Sequence, residues 1–407
     1  MQGYIYPNEF ELQWGLLIVV YPYLTGLVAG AFILASLARV FNVNAVQPTY
    51  RLSLLTALAF LIAAPLPLLA HLGHPERSFA IFLTPNVRSA MAMFGFVYAW
   101  YLMMVLLLEI WFDYRKDLVL WSRGKTGFLA WFRRALTLGS VDLSEGSLRF
   151  DDRAGKLITI IGIPSAFFLH GYVGFIFGSI KANPWWSSVL MPVVFLFSAI
   201  VSGIALMVLI YMVSSMLRFK PVDMACMDKL GAFLLYALIV DFSLEALDFT
   251  QRLYEAEESI KILSAMLSNR LVVSLIVMQL LVGTVLPLVS LGLIAPTVRK
   301  QGLVPVPDEL RRLIYFVVAI LVQIGIFSTR WNVVIGGQLF SKSLRGLTVY
   351  KMELLGIEGI LVAGAIMLLP LVLLYLLVKV VPPWPDAEAH VGPDSAAGAP
   401  VPAAQAS

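Results

Sequence analysis

The sequence predicts an all-α protein, a polytopic transmembrane helical bundle. Nine stretches of the chain are apolar over about 20 residues, the length a helix needs to cross a hydrocarbon layer of roughly 30 Å. The composition agrees, because 60% of the residues are hydrophobic, 13% are charged and the mean hydropathy is +0.86. No stretch shows the alternating pattern of a membrane β-barrel, and lipid cannot satisfy an open backbone, so we expect the spans to be helices.

The apolar stretches also predict the arrangement. In chain order they cover residues 14–38, 51–70, 89–113, 156–180, 186–214, 230–250, 271–295, 311–330 and 357–380. We expect two four-helix bundles plus an extra C-terminal helix. Small residues four positions apart let helices approach closely in lipid. They occur at Gly26 and Gly30 in the first span and at Ala199 and Gly203 in the fifth, which suggests corresponding positions in a duplicated unit.

The basic residues predict the orientation. With the N-terminus outside and the C-terminus in the cytoplasm, 19 of the 29 Lys and Arg residues lie on the inner side, as the positive-inside rule favours. We therefore expect a multi-pass protein of the inner (cytoplasmic) membrane. The net charge of +4 is then explained by contact with anionic lipid headgroups, and no nucleic acid partner is expected.

The connections and termini complete the organisation. Residues 1–13 are expected to form an outer N-terminal segment, and residues 14–380 the transmembrane domain. The inner connection 115–155 mixes bulky apolar residues with Lys and Arg, which is typical of a helix lying in the membrane interface. The outer connection 251–270 predicts another surface helix. The tail 381–407 is rich in Pro, Ala and Gly and is predicted to be a disordered cytoplasmic segment.

The single cysteine, Cys226, limits the redox groups that the chain can hold. One thiol cannot form an internal disulfide, and an iron–sulfur cluster needs about four thiolates. We expect no intrinsic iron–sulfur cluster and no metal site, so any cluster must come from a partner. The sequence also lacks the phosphate-binding, metalloprotease and nucleophile-elbow motifs of soluble enzymes.

Three acids in the sixth span form the sharpest candidate site. Asp241, Glu245 and Asp248 follow i, i+4, i+7 spacing, which puts three carboxylates on one helix face. Ionised carboxylates are costly in hydrocarbon, so these groups must face a partner, a cavity or a proton path. We assign them to a proton path. For Asp248 the alternative is a structural one, a cap at the helix end paired with Arg252 or Arg330.

Three histidines form the second candidate site. His71 and His74 flank the outer end of the second span, and His170 lies in the outer half of the fourth. Imidazole exchanges protons near neutral pH, so His71 and His74 are candidate ligands of a quinone head group and His170 a candidate member of the proton path. The alternative for His71 and His74 is an ordinary interfacial position. Each b-type haem needs two facing transmembrane histidines, so we expect no haem, although one shared by His170 with His71 or His74 stays open.

Polar groups elsewhere in the spans are candidates of a weaker kind. Tyr21 and Tyr23 lie deep enough in the first span to need hydrogen-bond partners, which makes them candidate lining of a quinone pocket. Gln279 and Gln323 are expected to form hydrogen bonds between helices, the commoner role of such residues in membranes.

At these residues the chain resembles the NrfD family, whose members include the membrane subunit of polysulfide reductase. The resemblance rests on WGLLIVVYPYLTGLVAGAF in the first span, LGHPER after the second, HGYVGFIFGSIKANPWW from the fourth, and DFSLEALDF in the sixth. It covers most of residues 10–380. RWNVVIGGQ after the eighth span is similar to longer family members. The ninth span departs from the compact family pattern of eight, and longer relatives have about ten.

The resemblance implies a quinone-reactive subunit that binds menaquinone or ubiquinone near the outer face of the first four-helix bundle. It implies electron exchange with a docked ferredoxin-like iron–sulfur subunit, which connects to a catalytic or multihaem subunit in anaerobic or sulfur respiration. Some members are proposed to couple this step to proton translocation. The quinone ligands of the compact members do not align with the first span of this chain, and we expect Tyr21, Tyr23 or Gln13, in or just before that span, to take the role.

Two other functions remain open. The buried acid face and the suggested duplication are also typical of a proton-coupled secondary transporter, although no matched pair of broken helices is evident. The other alternative is a purely structural anchor of a redox complex, in which the partner subunits form the quinone site. In either redox assignment the catalytic centre belongs to another subunit.

Overall fold

The computed structural model describes residues 12–255, 260–295, 306–339 and 347–384. Within these ranges the chain forms nine helices long and apolar enough to cross a membrane, which confirms the predicted number. In chain order they are α1 (Leu16–Arg39), α2 (Asn44–His71), α3 (Ala90–Ser122), α4 (Glu145–Gly178), α5 (Met191–Leu217), α6 (Met224–Glu255), α7 (Val272–Ile294), α8 (Asp308–Gly336) and α9 (Ile360–Val380).

The helices form two four-helix bundles, with α9 outside them. Helices α1 to α4 pack together, α5 to α8 pack together, and the bundles join mainly through α1 against α5 and α4 against α5. Helix α9 packs on α2 and α1. Helix α1 is buried along almost its whole length, so it is the central element of the molecule.

The two ends of the bundle are named here by residues of α1. The Trp14 face is the end at which α1 begins, and it is the outer side in the predicted orientation. The Arg39 face is the end at which α1 finishes. There Arg39 and Arg51 pair with Asp113 of α3 at 2.9 and 2.8 Å, and Arg51 also reaches Asp117 at 2.6 Å.

The close approach between the bundles is made by glycines. Gly30 of α1 lies against Ala199 and Gly203 of α5, and a Cβ added at Gly30 would lie 2.1 Å from the Ala199 carbonyl oxygen. The small residues that the sequence analysis placed at corresponding positions therefore contact each other directly. A second pair, Gly283 of α7 and Gly325 of α8, meets in the same way.

Helices α3 and α4 extend further than hydropathy predicts. Helix α3 continues to Ser122 and α4 begins at Glu145, so the predicted connection 115–155 is largely helical. The extensions are polar but internally paired, since the buried Arg115 of α3 binds Asp151 of α4. Between them Phe128–Leu136 forms a separate short helix with exposed Phe128 and Trp131 side chains.

Helix α9 is fastened at both ends. At the Trp14 face His71 Nδ1 lies 2.6 Å from Glu358 Oε1, just before α9 begins. At the Arg39 face Arg133 Nε donates to the Val380 carbonyl at 2.8 Å. The Arg218 guanidinium lies 3.6 Å from the centre of the Trp384 ring. Helix α9 is thus tied to both the membrane bundles and the short helix Phe128–Leu136.

Several predicted segments lie only partly within the described residues. Of the outer connection 251–270, α6 runs to Glu255 and Ile260–Asn269 forms a helix, while 256–259 is outside the description. Residues 1–11 of the predicted outer segment and residues 385–407 of the predicted disordered tail also lie outside it.

Candidate functional site

A buried polar cluster lies where the two bundles meet. His170 of α4 and Arg330 of α8 are both fully buried there. Arg330 Nη2 lies 3.1 Å from His170 Nε2 and donates to Ser198 Oγ of α5 at 2.6 Å. His170 Nδ1 lies 3.4 Å from Thr25 Oγ1 of α1. One residue from each of four helices thus contributes to the cluster.

The hydrogen bonds assign the tautomer of His170. A guanidinium only donates, so Nε2 must accept from Arg330, and the proton must lie on Nδ1, facing Thr25. The Thr25 hydroxyl is free to accept, because it donates to the backbone carbonyl of Tyr21 or Pro22. Both imidazole nitrogens are therefore engaged by protein groups, an arrangement that does not fit an axial haem ligand.

The Arg330 guanidinium is only partly hydrogen-bonded by this cluster. Its Nε and Nη1 atoms have no hydrogen-bond partner among the described residues. Its central carbon lies 4.2 Å from the centre of the Phe195 ring, which supplies a cation–π contact. Asp241 and Glu245 of α6 are its acidic electrostatic neighbours. The cation thus lies between the histidine of the first bundle and the acids of the second.

The acidic face of α6 points into the second bundle. Asp241 is buried, and its Oδ1 atom has no hydrogen-bond partner among the described residues. Glu245 accepts two hydrogen bonds from Gln279 Nε2, each 3.1 Å long. Gln279 Oε1 in turn accepts from Asn332 Nδ2 at 2.7 Å. The chain of hydrogen bonds therefore joins α6, α7 and α8, which confirms the interhelical role of Gln279.

Asp248 continues this acidic face toward the Trp14 face. It accepts a hydrogen bond from Ser188 Oγ, in the connection between α4 and α5. Helix α6 continues to Glu255, so Asp248 is not at the helix end that the structural alternative required. The side chain of Arg252, its other suggested partner, lies outside the description. Glu245, Asp248 and Asn332 supply polar groups to the largely apolar lining of a cavity of about 50 Å³.

The two predicted quinone-pocket tyrosines point to opposite sides of α1. Tyr23 donates to Gln323 Oε1 of α8 at 2.7 Å. Gln323 Nε2 donates to the Ser202 carbonyl of α5 at 2.7 Å, which confirms its predicted role between helices. The Tyr21 hydroxyl is buried in the first bundle without a hydrogen-bond partner among the described residues. Only Tyr21 thus offers a free polar atom.

Tyr21 belongs to a short series of packed aromatic rings. Its ring meets Phe94 of α3 edge to face, with the ring centres 5.8 Å apart. Phe94 stacks on Tyr172 of α4 at 5.8 Å. Tyr172 is fixed by the hydrogen bond that its hydroxyl donates to the Ala90 carbonyl at 3.0 Å. An apolar aromatic wall with one free hydroxyl fits a quinone head group, since a carbonyl oxygen would accept the hydrogen bond that Tyr21 lacks.

The other predicted quinone ligands lie closer to the Trp14 face. His71 is paired with Glu358, which also lines a cavity of about 850 Å³ beside Gly15 and Tyr350. Tyr350 accepts a hydrogen bond from the Leu16 amide at 3.0 Å, and burial raises the pKa of its phenol. The cavity is thus walled by the start of α1 and by the segment that leads into α9.

His74 and Gln13 do not join these groups. His74 is exposed, and its Nδ1 atom lies 3.0 Å from Glu76 Oε1, two residues away. Gln13 is also exposed. The structure therefore distributes the five predicted quinone ligands over three places: Tyr21 in the first bundle, Tyr23 between the bundles, and the remaining three at the Trp14 face.

The sequence predicted Arg330 only as a possible partner of Asp248. In the fold it lies between His170 and the acids Asp241 and Glu245. The available signal was its position at the outer end of an apolar span, which helix-end arginines share without being functional. Only the packing of α8 against α5 and α1, which brings Arg330 to His170, distinguishes it.

Comparison with known proteins agrees with this architecture. A selenate reductase subunit of Mesobacillus selenatarsenatis is 36% identical over 250 residues, which are 60% of this chain and 57% of that protein. The membrane subunit of a putative dimethyl sulfoxide reductase of Halobacterium salinarum is 29% identical over 230 residues, or 54% and 48% of the two chains. The chain thus matches about half the length of these relatives. The family model described as polysulphide reductase, NrfD, matches residues 7–342, so the chain belongs to the NrfD family as a multi-pass membrane protein.

Proposed function

We propose that the protein is the quinone-reactive membrane subunit of a respiratory reductase complex in the inner (cytoplasmic) membrane. It passes electrons between the quinone pool, either menaquinone or ubiquinone, and an iron–sulfur partner at the Trp14 face. Membership of the NrfD family supports this proposal, as do the two relatives whose names describe subunits of reductases. Coupling to proton movement is part of the proposal.

The observation that carries the proposal is the free hydroxyl of Tyr21. A buried polar group without a partner costs about 1–3 kcal/mol, so such groups are rare unless a ligand or water binds them. The Tyr21 ring packs edge to face on Phe94, which stacks on Tyr172, so the free hydroxyl belongs to an aromatic cluster of the kind that quinone head groups bind. A quinone in this place receives a hydrogen bond from Tyr21 and supplies two-electron, two-proton redox chemistry.

The other residues of the site hold and move protons. His71 and Glu358 are paired at the Trp14 face, where the imidazole Nδ1 lies 2.6 Å from the carboxylate. In the second bundle Asp241, Glu245 and Asp248 step along α6 toward the same face over roughly 10 Å. Arg330 lies between His170 and this acidic face, and it links the two bundles electrostatically.

The single cysteine indicates that the protein needs an electron-transfer partner. Because Cys226 alone cannot hold a cluster, the electrons must come from or go to another subunit. We assign this role to a ferredoxin-like iron–sulfur subunit that docks at the Trp14 face. A catalytic or multihaem subunit then connects to it and sets the terminal substrate.

The test compares Tyr21→Phe with Tyr23→Phe in the complex isolated with its native partners. Tyr21→Phe removes a hydroxyl with no protein partner among the described residues, so we expect slower quinone turnover and unchanged thermal stability. Tyr23→Phe removes the hydrogen bond to Gln323, so we expect normal turnover and a loss of about 0.5–1.5 kcal/mol in stability.

Quinone turnover and thermal unfolding are measured on both variants. Normal turnover in Tyr21→Phe, with slow turnover in Tyr23→Phe, moves the head group to the interface between the bundles. Normal turnover in both variants contradicts the assignment of Tyr21 as the ligand of the quinone head group. A preparation that contains no quinone and co-purifies with no iron–sulfur protein contradicts the proposed function itself.

A further inference from the structure

A second series of buried polar groups runs through the first bundle, and the proposed function does not use it. Its centre is Glu109 of α3, which is fully buried. Glu109 Oε1 accepts a hydrogen bond from Thr159 Oγ1 of α4 at 2.7 Å. Glu109 Oε2 has no hydrogen-bond partner among the described residues. A carboxyl group held in this way keeps one oxygen available.

Glu109 connects to the ion pairs of the Arg39 face. Asp113 lies one helical turn further along α3 and binds both Arg39 and Arg51. The exposed fraction of the carboxylate side chains rises toward that face, from 12% at Asp113 to 23% at Asp117. Asp152 of α4, within 3.7 Å of Arg39, is 81% exposed. Charged groups therefore lead without a break from bulk water to the turn below Glu109.

Hydroxyl groups continue from Glu109 toward the Trp14 face. Tyr101 lies eight residues before Glu109, or roughly 12 Å along α3, and the two interact electrostatically. Its buried hydroxyl has no hydrogen-bond partner among the described residues. Tyr98, one turn further, lies close enough to Tyr21 to interact electrostatically. The series ends at the hydroxyl to which we assign the quinone head group.

A break in α2 fixes the position of Tyr98. Pro65 has no amide hydrogen, so the Leu61 carbonyl four residues earlier lacks its helical donor. The Tyr98 hydroxyl donates to that carbonyl instead. The hydrogen bond fixes the Tyr98 phenol oxygen and leaves its lone pairs able to accept a hydrogen bond.

The groups around Glu109 are those expected of a site that gains and loses a proton. Arg39 of α1 and Asp113 of α3 act on it with opposite sign, and Tyr50 of α2 and Thr159 of α4 also face it. No cation lies within ion-pair distance of Glu109 among the described residues. A buried acid that is not locked in an ion pair exchanges protons more readily than one that is.

We propose that Arg39, Asp113, Glu109, Tyr101 and Tyr98 form a hydrated path that carries protons from the Arg39 face to the quinone head group at Tyr21. This inference rests on the proposed function, because Tyr21 is its end point. When quinone is reduced, two electrons arrive from the iron–sulfur partner and two protons arrive along this path. The product is quinol, and the reverse reaction returns the protons by the same route.

Since electrons enter at the Trp14 face and protons at the Arg39 face, the reaction separates charge across the membrane. The acidic face of α6 leads to the opposite side and is not required for this step. The first bundle therefore contains its own proton supply.

The experiment uses the complex with its native partners, reconstituted into vesicles that contain a pH dye. We expect Glu109→Gln to slow quinone reduction by roughly tenfold or more, as loss of a proton-transfer group does. Proton uptake from the Arg39 side should fall by the same factor. Glu145→Gln is the matched control, because Glu145 is an exposed carboxylate at the same face, paired only with Arg149 among the described residues.

The outcomes separate this inference from the proposed function. Normal turnover and normal uptake from the Arg39 side in Glu109→Gln overturn the path, as does uptake from the Trp14 side in the unchanged protein. Quinone turnover then still supports the proposed function. An absence of quinone turnover in the unchanged protein contradicts the proposed function first.

Chemical labelling gives a second measurement that does not depend on turnover. Hydrophobic carbodiimides react with carboxyl groups that are protonated in an apolar environment. We expect Glu109 to be labelled in the unchanged complex, with less labelling as the pH rises. Failure to label Glu109 at any pH, in a complex that folds and turns over, shows a permanently ionised structural carboxylate and overturns the proposal.

Discussion

Arg330 is a fully buried cation that the surrounding protein only partly pairs. Removing one member of a buried charged cluster leaves the others uncompensated, which costs more than the intact cluster contributes. Ser198 and His170 would lose their donor, and Asp241 and Glu245 would lose their nearest positive charge. Arg330 therefore contributes both to the stability of the fold and to the charge balance of the acids on α6.

We expect Arg330→Met to lower the stability of the complex by about 3–5 kcal/mol, because it breaks this buried cluster. The measurement is thermal unfolding in detergent. Arg149→Met is the control, since Arg149 forms an exposed ion pair with Glu145 that contributes little. An Arg330→Met protein as stable as the control variant contradicts this account of the cluster.

Tyr21 and Tyr23 show how much of the site a sequence pattern contains. The sequence predicted both as lining of a quinone pocket, but residues two apart on a helix face different directions, and the structure places them on opposite sides of α1. The spacing does not say which tyrosine enters the first bundle. That depends on the rotation of α1 about its axis, which the contacts with α3 and α8 fix.

Between helices, the approach of α1 to α5 depends on the absence of side chains at Gly30 and Gly203. In lipid the hydrophobic effect does not drive helices together, so their association depends largely on close van der Waals contact. The sequence correctly indicated close packing by both helices. It contained no indication that α1 of one bundle and α5 of the other contact each other directly.

We expect Gly30→Leu to prevent normal assembly of the two bundles, because even a Cβ at this position meets the Ala199 carbonyl at 2.1 Å. Overpacking of this kind costs about 1–3 kcal/mol or more. Gly364→Ala in α9 is the control, since no atom lies within 4 Å of the added Cβ. Unfolding in detergent measures both, and equal stability of the two variants would rule out a tight crossing.

The lengths of α3 and α4 illustrate a different kind of error. Hydropathy ends a helix where polar residues begin, and it placed these ends near residues 113 and 156. The helices continue because Arg115 and Asp151 neutralise each other across the pair of extensions. Such pairing joins residues distant in sequence, so no local window detects it.

For the molecule as a whole, α9 lies outside the part of the chain that the family model matches. The match to the NrfD family ends at residue 342, yet His71 pairs with Glu358 and Arg133 holds the end of α9. The segment before α9 also forms one wall of the large cavity at the Trp14 face. The ninth helix thus contributes to the surface at which we place the iron–sulfur partner.

Orientation is the property of the whole chain on which the functional proposals depend. We expect Thr84→Cys, in the connection between α2 and α3, to react with a membrane-impermeant maleimide in intact cells. Lys125→Cys, in the connection between α3 and α4, should react only after permeabilisation, because basic connections remain inside. The native Cys226 is buried and should stay unlabelled in both. The reverse pattern would place the Trp14 face in the cytoplasm.

The order of apolar and polar residues was sufficient to predict the all-helical class, the nine spans and the acidic face of α6. Helical periodicity and the cost of exposing backbone to lipid act locally, and they can be read along the chain. The meeting of His170 with Arg330, the separation of Tyr21 from Tyr23 and the alignment of Glu109 with Tyr101 depend on how helices rotate and pack. Those angles follow from contacts between residues far apart in the chain, and no local pattern contains them.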